Sequence, residues 1–349
     1  MKKNLISILE NFELPSSKPE LSPINNGHIN DTWKIKFSDH HSYVLQKINQ
    51  NVFNEPDKVM ENIDRVLKHL EKKSIFKKDL QIIKTIDQKL FYEDEQNNYW
   101  RIYNFIENAS SFDEIPSAEH TYQAAKGFGL FLSAISDLPS PPLHEIIPDF
   151  HNTAWRYDNF LKAIPKAKKE RLEKASLLIE QAKDLSYLKD KILNLLDQKL
   201  IPLRPTHNDT KLNNALLDKD SLETVAVIDL DTLMPGSALY DFGDFVRTAA
   251  RIGAEDEKDL SKVAFSSEYF EAAIKGFLES TSSFLNDIEV DNLAISSAVI
   301  TYEMGLRFLT DYLENDIFYK TSHSEQNLHR AQVQFKLIKE MIEYFSKDQ

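Results

Sequence analysis

The sequence predicts an α+β protein of two lobes: a small β-rich lobe over residues 1–107 and a large, mostly helical lobe over residues 108–349. Three observations predict this. Short runs before residue 107 alternate apolar and polar residues with the period of strands, whereas apolar residues after Ser117 recur at helical spacing. With 349 residues the chain is long enough to bury two cores.

Taken in order, Met1 to Glu10 is basic and then briefly apolar, and Glu10 and Glu13 interrupt it before a signal-peptide core is complete. No uninterrupted apolar stretch reaches membrane-spanning length, so a soluble cytoplasmic protein is expected. Asn25 to Thr32 is a turn-rich octet, after which Trp33, Ile35 and Phe37 share one face of a strand. Ser38 to His41 makes the turn and Tyr43 to Ile48 returns. Pro56 opens a helix on which Val59, Ile63, Val66, Leu67 and Leu70 recur at helical spacing. A second hairpin joins Lys89–Tyr92 to Tyr99–Ile106, and the composition then turns helical, so the hinge between lobes is expected near Glu107 to Ser111. A long charged amphipathic stretch from Thr153 to Leu200, broken at Pro165, precedes the segment that carries the chemistry. Helical periodicity returns from Glu255 onward, including Tyr302, Leu306, Leu309 and Leu313.

Composition excludes several functions. Acidic residues outnumber basic ones 55 to 42, and a net charge of −13 argues against nucleic acid or an anionic membrane as partner. The densest basic run, Lys166 to Lys174, is interleaved with Glu170 and Glu173 and reads as a solvated helix face. With no cysteine, disulfides, thiolate metal sites and cysteine nucleophiles are impossible. Only Gly27 precedes Gly127, and neither G-x-x-x-x-G-K-[ST] nor G-x-G-x-x-G occurs, which excludes P-loop and dinucleotide-binding architectures.

The chemistry concentrates in His207-Asn208-Asp209-Thr210-Lys211-Leu212-Asn213-Asn214 and the apolar run Thr224–Ile228 that ends in Asp229. Phosphoryl transfer needs an oriented acceptor hydroxyl, a metal held on the phosphates and neutralised charge. Asp209 fits the base that accepts the hydroxyl proton, and Asn214, five positions on, fits an amide oxygen on a magnesium ion. Lys211 lies within reach of a γ-phosphate. A buried strand over 224–228 delivers Asp229 as a hard oxygen ligand for Mg2+, with Asp231 a second candidate. The later Asp241-Phe242-Gly243 spells a metal-binding tripeptide but falls too far downstream; Asp241 is expected to accept backbone hydrogen bonds from the turn around His207.

The nucleotide, ATP in this reading, needs further partners. Gly27 and Asn30 lie in the turn that covers phosphates. Lys47 is the candidate for a strand lysine on the α- and β-phosphates, although its neighbour Gln46 takes that face if the register differs by one. Glu61 either pairs with Lys47 or is one more surface acid. Phe105 and Glu107 sit at the hinge, whose backbone groups suit an adenine edge.

Together, NGHINDTW at 26–33, YVLQKINQNVF at 43–53, WRIYNFIENASSFD at 100–113, THNDTKLNNALLD at 206–218, VIDLDTLMPGSALYDFGDFVR at 227–247, AEDEKDLSKVAF at 254–265 and GLRFLTDYL at 305–313 resemble the aminoglycoside phosphotransferase-like superfamily, and within it the N-acetylhexosamine 1-kinase group. The resemblance implies a protein-kinase-like fold, ATP and Mg2+ in the cleft, and a sugar acceptor beside Asp209. It also implies phosphorylation of the anomeric hydroxyl, which is more acidic than other sugar hydroxyls. Arg307 matches a position that holds the sugar, and Tyr319 and His28 match others; the structural alternative for Arg307 is an ion pair with Asp311. Two other readings stay open: a small-molecule kinase with an aminoglycoside, choline or homoserine acceptor, and a nucleotide-binding regulator without transfer activity.

Overall fold

A computed structural model describes residues 2–24, 29–38 and 41–347. Gly27 and His28 lie outside the described residues.

The small lobe is built on a mostly antiparallel meander. Strands β1 (Glu20–Ile24), β2 (Asp31–Lys36), β3 (Ser42–Lys47), β4 (Ile82–Ile83), β5 (Tyr92–Glu93) and β6 (Tyr99–Asn104) form one sheet in the order β1-β2-β3-β6-β4, with β5 also on β6. β1 was not anticipated, because Pro23 interrupts its pattern; as the edge strand it tolerates a residue without an N–H. The alternation read from sequence sets two faces. Trp33, Ile35, Leu45, Trp100 and Ile102 point to the outer face, where helix α1 (Lys2–Leu9) covers them with Leu5, Ile8 and Leu9. The opposite face, carrying Val44 and Tyr103, meets helix α2 (Pro56–Lys73) through Met60 and Ile63 and continues into the main core. Pro56 starts α2 as expected, and Ser74 ends it in a left-handed conformation.

Beyond the hinge the chain is mainly helical: α3 (Ala118–Ile135), α4 (Thr153–Ala163), α5 (Lys169–Asp184), α6 (Lys191–Asp197), α7 (Ala238–Ala249), α8 (Ser267–Thr281), α9 (Asp287–Asp291), α10 (Leu293–Leu313) and α11 (Gln326–Phe345). The Ser117 side chain caps α3, and α4 tightens into a short 3-10 turn at Pro165. Short strands are set among the helices. β7 (Ala109–Ser110) pairs with β9 (Ala215–Asp218), which pairs with β10 (Thr224–Val227); β8 (Arg204–Thr206) pairs with β11 (Met234–Gly236). The segment 206–214 leaves β8 and enters β9, so it is held at both ends by ladders. No helix among the described residues is long and apolar enough to cross a membrane.

Candidate active site

The loop after β8 is fixed from below. Asp241, in the first turn of α7, accepts from the backbone N–H of His207 at 3.0 Å and of Asn208 at 2.7 Å, which is the expected role for that carboxylate. The Thr210 hydroxyl donates to the Asp241 carbonyl, and the Leu212 N–H to the Thr248 hydroxyl at 3.0 Å. Burial nevertheless pushes the Asp241 carboxyl up to about 6, against those donors and the nearby His207. His207 is buried; its Nε2 contacts the Ile228 carbonyl at 2.9 Å and its Nδ1 the Asp209 N–H at 3.3 Å, a pattern that fits a neutral ring protonated on Nε2. Asn208 and Asp229 both adopt positive φ (63° and 62°), strain that is kept where chain direction matters more than local comfort.

This scaffold gathers Asp209, Lys211, Asn214 and Asp229. The Lys211 ammonium lies 3.0 Å from the Asp209 carboxylate. Burial alone would raise the Asp209 carboxyl, but the neighbouring Lys211 ammonium holds it below its ordinary value, so it is an ionised acceptor. Asn214 spends its amide hydrogens on Asp209, with its carbonyl at 2.8 Å and its carboxylate at 3.4 Å, which leaves the amide oxygen for a cation. Asp229 opens to the cleft. Shielding by the cleft walls, then the Asp231 and Asp209 charges, push it up to about 7 despite Lys211 and Arg101. A carboxylate so crowded by negative charge suits a divalent cation. Among the described residues no group of three or more His, Asp or Glu side chains could hold a metal alone, so an ion here would complete its oxygen shell with phosphate and water, as Mg2+ does.

The small-lobe side of the cleft departs from expectation at two adjacent-residue choices. Lys47 is paired with Trp100 across the ladder and shares the outer face with Leu45; its ammonium lies 5.8 Å from the Trp100 ring. Strand alternation therefore turns it away from the phosphates, and Gln46 takes the inward position. Glu61 is likewise displaced: it is bound to His144 at 2.8 Å on the exposed side of α2, while its neighbour Met60 faces inward. Of the two readings of Glu61, the surface acid is the one the structure shows, and the pair with Lys47 does not form. In its place Arg101, paired with Gln46 in the ladder, donates to the Gln46 Oε1 from Nε at 3.0 Å and from Nη2 at 2.8 Å. Its Nη1 meets the Asp231 carboxylate across the cleft, and both side chains are almost wholly buried. Asn30 donates to the same carboxylate at 2.7 Å and accepts from the Asn49 N–H at 2.9 Å, so its side chain is committed to the protein and not to a phosphate. Asp231 thereby anchors the two lobes to each other. At the hinge, the Phe105 N–H bonds to Ser42 at 3.0 Å and Lys78 takes the Glu107 carbonyl. Among the described residues the Glu107 N–H makes no hydrogen bond.

On the far side of Asp209 a group of polar and aromatic side chains comes together from separated segments. Buried His151 bridges the Asn208 carbonyl at 2.9 Å and Glu303 at 3.0 Å, and stacks on Tyr240. One turn along α10 from Glu303, the Arg307 guanidinium stands 5.5 Å from the Phe150 ring and 5.8 Å from the Tyr319 ring. Asp311 accepts instead from the Phe318 and Tyr319 N–H groups, so the alternative ion pair with Arg307 is absent. Arg156 completes the group; its guanidinium is lowered to about 10, by burial first and then by the neighbouring Arg307 charge. Among the described residues neither arginine forms a salt bridge, although the buried Glu303 carboxylate feels both charges, and Arg156 Nε and the Tyr319 hydroxyl are buried without hydrogen bonds. Sequence reading missed His151, Arg156 and Glu303, which come from two distant parts of the chain and match no local motif.

The family model described as APH, phosphotransferase enzyme family, matches residues 20–272. Among solved structures, the microcompartment-associated aminopropanol kinase is 16% identical at TM-score 0.68, covering 100% of this chain and 98% of that one. A spectinomycin phosphotransferase in complex with ADP and spectinomycin is 15% identical at TM-score 0.63, with 97% of each chain covered. The choline kinase of Cryptosporidium parvum is 15% identical at TM-score 0.61, covering 100% and 97%. At such identities the likeness shows the shared fold: a β-sheet lobe joined to a helical lobe.

Proposed function

The chain belongs to the phosphotransferase enzyme family and is a small-molecule phosphotransferase; from that premise we propose that it uses ATP and Mg2+ to phosphorylate the anomeric hydroxyl of an N-acetylhexosamine or a related sugar. In this reading Asp209 orients the acceptor hydroxyl and takes its proton as the bond to phosphorus forms. Lys211 keeps Asp209 ionised and offers positive charge to the transferring group. Asn214 and Asp229 hold the metal, which when bound screens the negative charge of the phosphates.

One observation carries the choice of acceptor: Arg156 and Arg307 stand together, neither in a salt bridge among the described residues, beside an unpartnered Tyr319 hydroxyl. A cationic amine placed there would meet two like charges, which the buried Glu303 carboxylate offsets only in part. Sugar hydroxyls and an N-acetyl carbonyl would instead supply the acceptors that these donors lack. The anomeric hydroxyl is also the most acidic on a sugar, which suits a carboxylate base. The second reading is an amine-bearing alcohol, and it is favoured by the solved neighbours, which include choline, ethanolamine and aminopropanol kinases.

ATP consumption with Mg2+ against free hexoses, N-acetylhexosamines, uncharged polyols, choline, ethanolamine, aminopropanol, homoserine and aminoglycosides, with phosphorus NMR of the product, decides between them. An anomeric sugar phosphate supports the proposal. Turnover confined to amines replaces it with the second reading, and nucleotide binding without turnover leaves the regulator.

A further inference from the structure

In protein kinases the small lobe presents a β3 lysine to the phosphates and steadies it with a glutamate from the adjacent helix. Here both elements are present and neither residue faces inward. The inward position of β3 is Gln46, and the inward position of α2 is Met60, whose Sδ lies 3.7 Å from Arg101 Nη1. The cation between them is Arg101, on the next strand, and its partner is not in the small lobe at all. It is Asp231, on the single turn Leu230–Thr232 that directly follows Asp229. The Asp231 carboxylate is filled: Arg101 holds Oδ1 and Asn30 holds Oδ2. Arg101 is itself held by two bonds to one amide oxygen of Gln46. A guanidinium so enclosed has little surface left to offer a ligand, with 1% of the residue exposed.

We propose that Arg101 is a positioning residue for the metal site: acting through Asp231, it fixes the 229–232 turn and so aims the Asp229 carboxylate at the metal, and this strut across the cleft replaces the lysine–glutamate pair within the small lobe. The physical reason is local. Asp229 takes a left-handed conformation, and its carboxylate makes no hydrogen bond among the described residues, so its direction is set by the backbone turn that follows. That turn is secured from the large lobe by the Thr232 hydroxyl on the His207 carbonyl at 2.7 Å, and from the small lobe by Arg101 and Asn30. Releasing one side frees the turn to rotate. Second-sphere partners of metal ligands commonly affect metal affinity by about 10- to 100-fold.

The inference rests on Asp229 as the metal-binding carboxylate. It is tested without any acceptor, so a wrong acceptor assignment leaves it intact. Arg101→Met alone strands a buried carboxylate and could unfold the protein, so Arg101→Met/Asp231→Asn removes both charges together. Gln46→Ala loosens the guanidinium and keeps its charge. For each, ATP binding is titrated by calorimetry with and without Mg2+, and the Mg2+ concentration for half-maximal ATP binding is read. The double variant should need about 10-fold more Mg2+, with metal-free ATP affinity within about 2-fold of the parent, and Gln46→Ala should move the same way by about 2- to 3-fold. Lys47→Ala should leave both readings at the parent value. A merely structural role would lower thermal stability and leave the Mg2+ requirement unchanged, which would overturn the proposal. So would a Lys47→Ala variant that loses more Mg2+-dependent binding than Gln46→Ala, or a double variant whose metal-free ATP binding falls as far as its Mg2+-dependent binding.

Discussion

The two sides of the cleft differ in how each fixes its side chains. On the large-lobe side, His207 to Asn214 is one short segment clamped at both ends, so spacing along the chain translates directly into spacing in the site. On the small-lobe side the relevant positions belong to strands and a helix. There a shift of one residue exchanges inside for outside: it puts Gln46 where Lys47 was expected and Met60 where Glu61 was expected. A contiguous loop is legible from its own letters. A sheet face is legible only once its partners are known.

That comparison can be broken first at Asp209. Asp209→Asn should lower kcat by about 10^3-fold while Mg·ATP affinity stays within about 2-fold, measured by steady-state turnover and nucleotide titration. Loss of nucleotide binding as well would mean that the loop is not the autonomous unit its contacts suggest. Asp229→Ala should instead weaken Mg2+-dependent nucleotide binding along with turnover; full activity in this variant would refute its assignment.

Across from the loop, Arg156→Ala and Arg307→Ala should each raise the acceptor KM by about 10- to 100-fold and leave the KM for ATP unchanged. If neither substitution affects the acceptor, it binds elsewhere. A smaller effect is expected at Asp241→Asn, which keeps the shape of the side chain but puts an amide donor against one of two buried N–H groups. The cost should be about 1–3 kcal/mol of stability, seen as a lowered thermal midpoint. The smallest concerns Glu61→Gln, which should change neither turnover nor nucleotide affinity beyond about 2-fold, because Glu61 meets only His144 at the surface.

Particular residues show where legibility ends. The order of lobes, the helix opened by Pro56 and the buttress at Asp241 all follow from local rules of periodicity, capping and hydrogen-bond demand. The edge strand Glu20–Ile24 was hidden by Pro23, and α1 by its brevity, since burial against the sheet and not helical periodicity defines it. His151 joins Glu303 to the Asn208 carbonyl across more than fifty residues on one side and more than a hundred on the other. Such a meeting is created by packing helices, and no motif announces it. Arg101 was legible only as a residue in an aromatic strand, because the acid that gives it meaning is 130 positions away.

The pair formed by Arg101 and Asp231 also limits how freely the molecule can be recombined. Kinase-like lobes invite chimaeras, in which one nucleotide lobe is joined to another acceptor lobe at the hinge. A graft of residues 1–107 of this chain would bring Arg101 without its carboxylate, and the reciprocal graft would bring Asp231 without its guanidinium. Either leaves a buried charge unpaired, at a cost of about 3–5 kcal/mol, which is a large fraction of the stability of an ordinary domain. Where the incoming lobe lacks the matching group, a designer who exchanges one lobe must carry residue 101 or residue 231 along with it.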